Sequence, residues 1–254
     1  MGTELTDEAA FEGALAAFDG IDMDDYAGAG NENVTSNDIA IPYINILQKM
    51  SPQVDEDDAA YIEGARAGQL FQSVNFFTWD GDDGVQLIPV AFQRMVIEWV
   101  PREKGGGMVE IHPMSALREI PNSPNDKNIP VRDDNGNLLI DTAQHVVMYK
   151  SPMTGGFEPA MISMKSTNHK KSRIWNSLIS QQKLPSGKQA PRWLYSWRCT
   201  TIREQKDDNS WYNFEFARES MVDRETFLRC AELAKQHKEG QVRGAEVGED
   251  EIPF

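Results

Sequence analysis

Residues 85–100 read VQLIPVAFQRMVIEWV, a run of aliphatic, β-branched and aromatic residues longer than an ordinary strand of about five or six residues. Pro89 sits inside this run and cannot donate to a ladder. It predicts an edge position or a bulge, as where one strand bends to serve two sides of a small barrel. Three more strands follow at 144–150 (QHVVMYK), 159–165 (PAMISMK) and 192–203 (RWLYSWRCTTIR). The last of these pairs with 211–218 (WYNFEFAR) across the polar turn 206–210. Between the third and fourth strands, 168–183 (NHKKSRIWNSLISQQK) has helical spacing. Ser166 or Thr167 is its candidate cap, and Pro185 and Gly187 lie beyond its end. A last helix is expected at 224–239, capped by Asp223.

Five strands with one helix between the third and fourth is the order of an OB-fold, although many β-rich domains could be cut the same way. The expected class is therefore mainly β: a five-stranded OB-fold-like barrel with an inserted helix, a C-terminal helix, and acidic flexible arms at both ends. Residues 1–38 form the acidic N-terminal arm, with Phe11, Leu15 and Phe18 at helical spacing within 4–19. The core is 39–222, the last helix 223–239, and an acidic partner-binding tail 240–254. Gly105–Gly107 reads as a mobile loop and 112–137 as irregular. No stretch approaches the ~20 apolar residues of a membrane span. The N-terminus is acidic where a signal peptide would be basic, so cytoplasmic residence and no membrane partner are expected.

The net charge of −15 hides a strong segregation. Residues 1–38 hold ten acids and no base, whereas 165–203 hold nine bases and no acid. Within that basic block Lys165, Lys170, Lys171, Arg173, Lys183, Lys188, Arg192, Arg198 and Arg203 are interleaved with Trp175, Trp193, Tyr195 and Trp197. Cations that follow phosphates, combined with aromatic faces that stack bases, are the chemistry of single-strand binding, and stacking tolerates any sequence. The candidate nucleic-acid contacts are those nine bases with Trp193, Tyr195 and Trp197. In a strand, the three aromatics share one side, and Arg192, Ser196 and Arg198 share the other. Either set can be the nucleic-acid face, the other being core or solvated. Trp175, four residues before Ile179, reads as packing.

The same sequence offers no enzyme chemistry. Cys199 and Cys230 lack a C-x-x-C partner and read as buried thiols. His112, His145, His169 and His237 are not ligand-spaced. Asp80-Gly81-Asp82-Asp83-Gly84 lacks the spacing and distal Glu of a calcium loop and reads as a turn. Glu98, Glu103 and Lys104 have no paired Asp that would make a nuclease centre. Neither a phosphate-binding G-x-x-x-x-G-K-[ST] loop nor a G-x-S-x-G elbow occurs. No catalytic residue, metal site or cofactor is assigned.

The last residues, Glu249-Asp250-Glu251-Ile252-Pro253-Phe254, resemble the terminal peptide of bacterial single-stranded DNA-binding proteins. There the final Phe enters an apolar pocket on partner enzymes. The resemblance implies partner binding by Ile252, Pro253 and Phe254, with Glu249, Asp250 and Glu251 steering the approach. Phage single-stranded DNA-binding proteins also join an OB-fold to an acidic, Phe-ending tail. The stretches IPYINILQKMSPQ and RMVIEWVPREKGGG look like those of a phage protein family often encoded among replication genes. The function so implied is coating of single-stranded DNA during replication, recombination or repair in the bacterial host cytoplasm, with recruitment of enzymes through the tip. Homo-oligomerisation is left open. Single-strand annealing in recombination is the runner-up, and an acidic DNA mimic that occupies a host enzyme is a third reading. The charge map further suggests that the tail, a tethered anion, competes with DNA for the basic surface.

Overall fold

The computed structural model describes residues 20–26, 28–33, 41–101, 104–119 and 131–239. The chain divides into two units, 1–38 and 39–254. The described part of the first holds a 3-10 turn, Met23–Tyr26. The helical segment expected within 4–19 and the tail 240–254 lie outside the described residues.

The second unit is built on the long apolar run. Three short strands come first: β1 (Ile44–Ile46), β2 (Leu70–Gln72) and β3 (Thr78–Trp79). The run itself is β4, Val85–Trp99, one strand of 15 residues. Then follow β5 (Met108–His112), a single helical turn α1 (Ala116–Glu119), β6 (Val131–Arg132), β7 (Leu138–Lys150) and β8 (Phe157–Lys165). Helix α2 (Asn168–Ser180), β9 (Tyr195–Lys206), β10 (Asn209–Met221) and α3 (Arg224–Lys238) complete the order. The fold is mainly β, as the strand signals predict.

Antiparallel pairing joins β10-β9-β4-β7, with β8 and β6 on the far edge of β7 and β5 on β4. β4 pairs with β7 from Leu87 to Trp99, whereas β9 covers only Val85–Leu87 and β5 only Val96–Trp99. The register slips between Pro89 and Ala91. Pro89 thus lies at a bulge, beyond the last β9 pair, where its missing N–H costs no ladder bond. The bulge bends β4 so that its two halves serve different neighbours.

The five expected strands run β10-β9-β4-β7-β8 with α2 between β8 and β9, but they do not close into a barrel. Strands β8 and β10 do not pair; the segment 41–48 stands at the seam. Met161 of β8 donates its N–H to the Pro42 carbonyl at 2.8 Å. On the other side the Gln48 amide donates to the Tyr212 carbonyl and accepts from the Tyr212 N–H, both at 2.9 Å. Closure there runs through one side chain in place of a ladder. The segment belongs to a separate small sheet, β1-β2-β3. These three strands, with β5 and β6, are too short to leave a periodic signal in the sequence.

Each face of the long sheet carries a buried core. On one face α2 and β1–β3 cover a core that includes Leu87, Val147, Tyr149, Ile162, Trp175, Trp197 and Phe214. On the other, Ile88, Val90, Val146, Met148 and Met161 pack under Cys230 and Leu233 of α3. Asp223 caps α3 as expected, accepting from the Thr226 N–H at 2.9 Å and its hydroxyl at 2.7 Å. Thr167 occupies the cap position of α2 without a side-chain cap bond. Among the described residues no helix is long and apolar enough to cross a membrane.

Gly84 fixes the entry into β4. Its φ is +63°, and a Cβ there would collide with the Cys199 carbonyl of β9. Gly84→Ala therefore combines left-handed backbone strain with overpacking against a backbone atom. Urea unfolding is expected to give a loss of roughly 2–4 kcal/mol.

Candidate nucleic-acid interface

The basic block does not form one face, and its aromatics are divided. Arg192–Leu194 is a 3-10 turn and β9 begins only at Tyr195, so the alternation expected over 192–198 fails at its start. Trp193 turns toward α3 and meets Phe227 at 5.9 Å. Trp197 points to the opposite, α2, side and is 2% exposed. Trp197 presents no open face for a stacked base, which corrects its assignment as a stacking contact, whereas Trp193 is only half-buried. Of the triplet, Trp193 and Tyr195 remain partly open.

Trp175 explains the packing on the α2 side. It lies flat on Phe216, with centroids 3.9 Å apart and planes 2° from parallel, and meets Trp197 edge-on at 6.3 Å. Its other neighbour is the His145 ring at 4.8 Å. The ring is fully buried, in accord with its reading as a core residue. The stack holds α2 against β10 and leaves a cleft at the C-terminal end of the helix.

That cleft has a volume of about 520 Å³ and is lined by Leu178, Gln181, Gln182, Lys183, Tyr195, Trp197, Phe216 and Arg218. The β-hairpin register builds its floor: Trp197 lies opposite Arg218, and Cys199 opposite Phe216. These residues and Tyr195 therefore share one face. The Arg218 guanidinium sits 4.9 Å from the centre of the Tyr195 ring. Gln182 is buried, and neither atom of its amide has a hydrogen-bond partner among the described residues. The Trp197 indole N–H likewise has no partner among the described residues. Beyond Gln182 the chain turns tightly, with a bridge between Lys183 and Gln189, and exposes Lys183 and Lys188.

The remaining sequence-derived candidates separate by environment. Lys170 and Arg173 are exposed on α2. Lys170, Ile174 and Leu178 follow one another at i, i+4 and i+8, a stripe that leads to the cleft. Lys171 is paired with Glu204 of β9 at 3.1 Å. Arg198 lies on the other face of β9, its Nε 2.8 Å from Glu219. Arg203 is exposed near the hairpin tip, in a second cavity of about 380 Å³ beside Arg66 and Asp80. Lys165 lies over the Trp99 ring at 5.4 Å, at the far end of β8. Arg192 is structural: it donates to the Asn176 side chain at 2.8 Å and lies 5.7 Å from the Phe92 ring centre. Burial pulls its pKa down to about 10, which leaves it cationic at neutral pH.

Leu178, Gln181, Gln182, Phe216 and Arg218 line the cleft but were not among the sequence candidates, and for Phe216 and Arg218 a signal existed. Their signal was the hairpin register: pairing 192–203 with 211–218 places them across from Cys199 and Trp197. Arg218 lies outside the acid-free block, so a charge count alone passes it over.

Cys199 and Cys230 are free and buried, and burial pushes both thiols up. His145 is buried between Phe92, at 4.9 Å, and Trp175, with Nε2 2.9 Å from the Ser172 hydroxyl. Desolvation, with a smaller push from Arg192, lowers its pKa to about 3. The unfolded ring takes up a proton near pH 6.5 and the folded ring does not. The stability that depends on neutral His145 is thus present above pH 6.5 and lost as pH falls toward 3. Unfolding free energy is expected to fall by up to about 1.4 kcal/mol per pH unit from this ring across that window. Urea titrations of His145→Gln, which lacks the titrating ring, should give a shallower slope.

No curated protein and no solved structure matches this chain. A family described as Pam3 phage gp34-like protein matches residues 10–243, a span that includes every described strand and helix of the second unit and the whole cleft. The chain belongs to the Pam3 phage gp34-like protein family, a family of phage proteins.

Proposed function

We propose that this phage protein is a non-catalytic, sequence-tolerant single-stranded DNA-binding protein, with the α2–β9–β10 cleft as its principal nucleotide seat. The composition of the cleft carries the reading. Tyr195 and Phe216 supply aromatic surface, Lys183 and Arg218 supply cations, and Gln182 supplies an amide with no partner among the described residues. A base stacked on Tyr195 gains ~1–3 kcal/mol, and its phosphates meet Lys183 and Arg218. The exposed Lys170, Arg173 and Lys188 extend the cationic track on either side of the cleft. A duplex keeps its base faces stacked inside, so it offers these aromatics nothing to bind.

With a net charge of −15, most of the molecule repels DNA. An approaching strand is steered to the few places where cations dominate. In this reading the protein coats single strands during phage replication, recombination or repair in the host cytoplasm. Glu249, Asp250 and Glu251, followed by Ile252, Pro253 and Phe254, form the segment that engages enzymes of those pathways.

The test is a titration of labelled oligothymidine followed by anisotropy and tryptophan fluorescence across a salt series, with duplex as control. Single-strand affinity should fall with salt, with a log–log slope of about −0.7 per phosphate neutralised. Arg218→Ala should reduce that slope by about 0.7, and Tyr195→Ala should weaken binding by roughly 1–3 kcal/mol at every salt concentration. Binding that is absent at low salt, or that survives both substitutions unchanged, removes the cleft from the function. Tight binding to a DNA-processing enzyme in place of DNA would favour the acidic mimic.

A further inference from the structure

The β4–β5 hairpin, at the end of β4 remote from its β9 pairs, brings together three potential ligands that the sequence keeps apart. Glu98 and Glu110 lie directly opposite each other across the two strands, and His112 follows on the same face. One ligating atom from each of the three lies within 4.8 Å of the others. We propose that Glu98, Glu110 and His112 form a binding site for a divalent transition-metal ion, with Zn²⁺ as the cation their donor set fits.

Three observations support the site. First, like charges directly opposite one another weaken a strand pair, so the Glu98–Glu110 pair calls for a cation between them. Protonated His112 supplies one positive charge against two carboxylates, whereas a divalent ion balances both. Second, the inner ligand is already oriented. Glu98 is 7% exposed, its Oε2 lies 2.6 Å from His112 Nε2, and its Oε1 accepts from the Asn137 side-chain amide at 2.6 Å. Asn137 is itself anchored by Asp133, whose side chain accepts from the Asn137 N–H at 2.7 Å. This is the outer-shell support that ligating carboxylates need. Third, Glu110 is exposed, so the site opens to solvent on that side and leaves room for entry and for a bound water.

One imidazole nitrogen with two carboxylate oxygens is a borderline donor set. It favours Zn²⁺ over Mg²⁺ and Ca²⁺, which prefer all-oxygen surroundings. The Nε2–Oε2 contact is a proton-bridged pair as it stands. An ion at about 2.0 Å from each atom would take the place of that proton and widen the gap to roughly 3.2 Å. The displaced proton moves to Nδ1 of the same ring or, from the doubly protonated ring, to solvent. Three protein ligands would leave a fourth position for water.

The full-length chain, stripped with a chelator, should take up one equivalent of Zn²⁺ in a calorimetric titration run in excess Mg²⁺. Co²⁺ in its place should give the visible d–d bands of a low-coordinate nitrogen–oxygen site. His112→Ala and the exposed-position variant Glu110→Gln should lose both signals, while Asn137→Ala should weaken uptake about 10–100-fold. Zn²⁺ should also raise the melting temperature of the wild type and leave that of Glu110→Gln unchanged. Uptake that is absent, or equal in the wild type and in both ligand variants, overturns the proposal. None of these readouts involves DNA, so the outcome is independent of the cleft.

Discussion

The paired strands β4 and β7 are the constraint on which the rest of this structure depends. Their ladder runs from Leu87 to Trp99 against Tyr149 to Leu138, and nearly every other element attaches to one of its edges or faces. The bulge after Pro89 lets one strand carry β9 at one end and β5 at the other. A proline in the middle of a flat central ladder would remove a bond. At the bulge it removes none, and the local twist it accompanies turns the two ends of the sheet toward different neighbours.

The second organising interaction is the Trp175 stack. Helix α2 carries three of the nine bases of the block, and what presents those cations is the burial of one ring among Phe216, Trp197 and His145. The cleft is a consequence of that packing, because the helix ends before the hairpin face below it does. The same stack keeps His145 neutral by excluding water. Stability and the candidate binding surface therefore rest on shared residues. A surface substitution such as Arg218→Ala is the cleaner probe of function, and a change at Trp175 would perturb both.

Charge behaves differently in the sequence and in space. The acid-free stretch 165–203 looks like a single cationic surface, yet folding sets Lys171 against Glu204 and Arg198 against Glu219, both acids from beyond the block. It also buries most of Arg192 beside Asn176 and Phe92. What is left exposed is concentrated on α2 and on the turn after it, and Arg218 joins from a segment that carries acids as well. Linear charge counts locate the neighbourhood of such a surface. They cannot say which cations are neutralised, because long side chains find partners across strands, and the partners are set by register.

The sequence by itself determined the mainly β class, the strand order with α2 between β8 and β9, an edge or bulge at Pro89, the Asp223 cap and the core role of Trp175. Each depends on local chemistry: a missing N–H, a side chain that satisfies the first turn of a helix, or apolar residues at a fixed period. Tertiary structure alone decided that the sheet stays open with 41–48 at its seam, since a three-residue strand has too few residues to show a period. It also sent Trp193 and Trp197 to opposite faces, because a 3-10 turn reset the alternation before β9 began. And it brought Glu98, Glu110 and His112 together, as ligands on neighbouring strands are near one another only once the hairpin register is fixed.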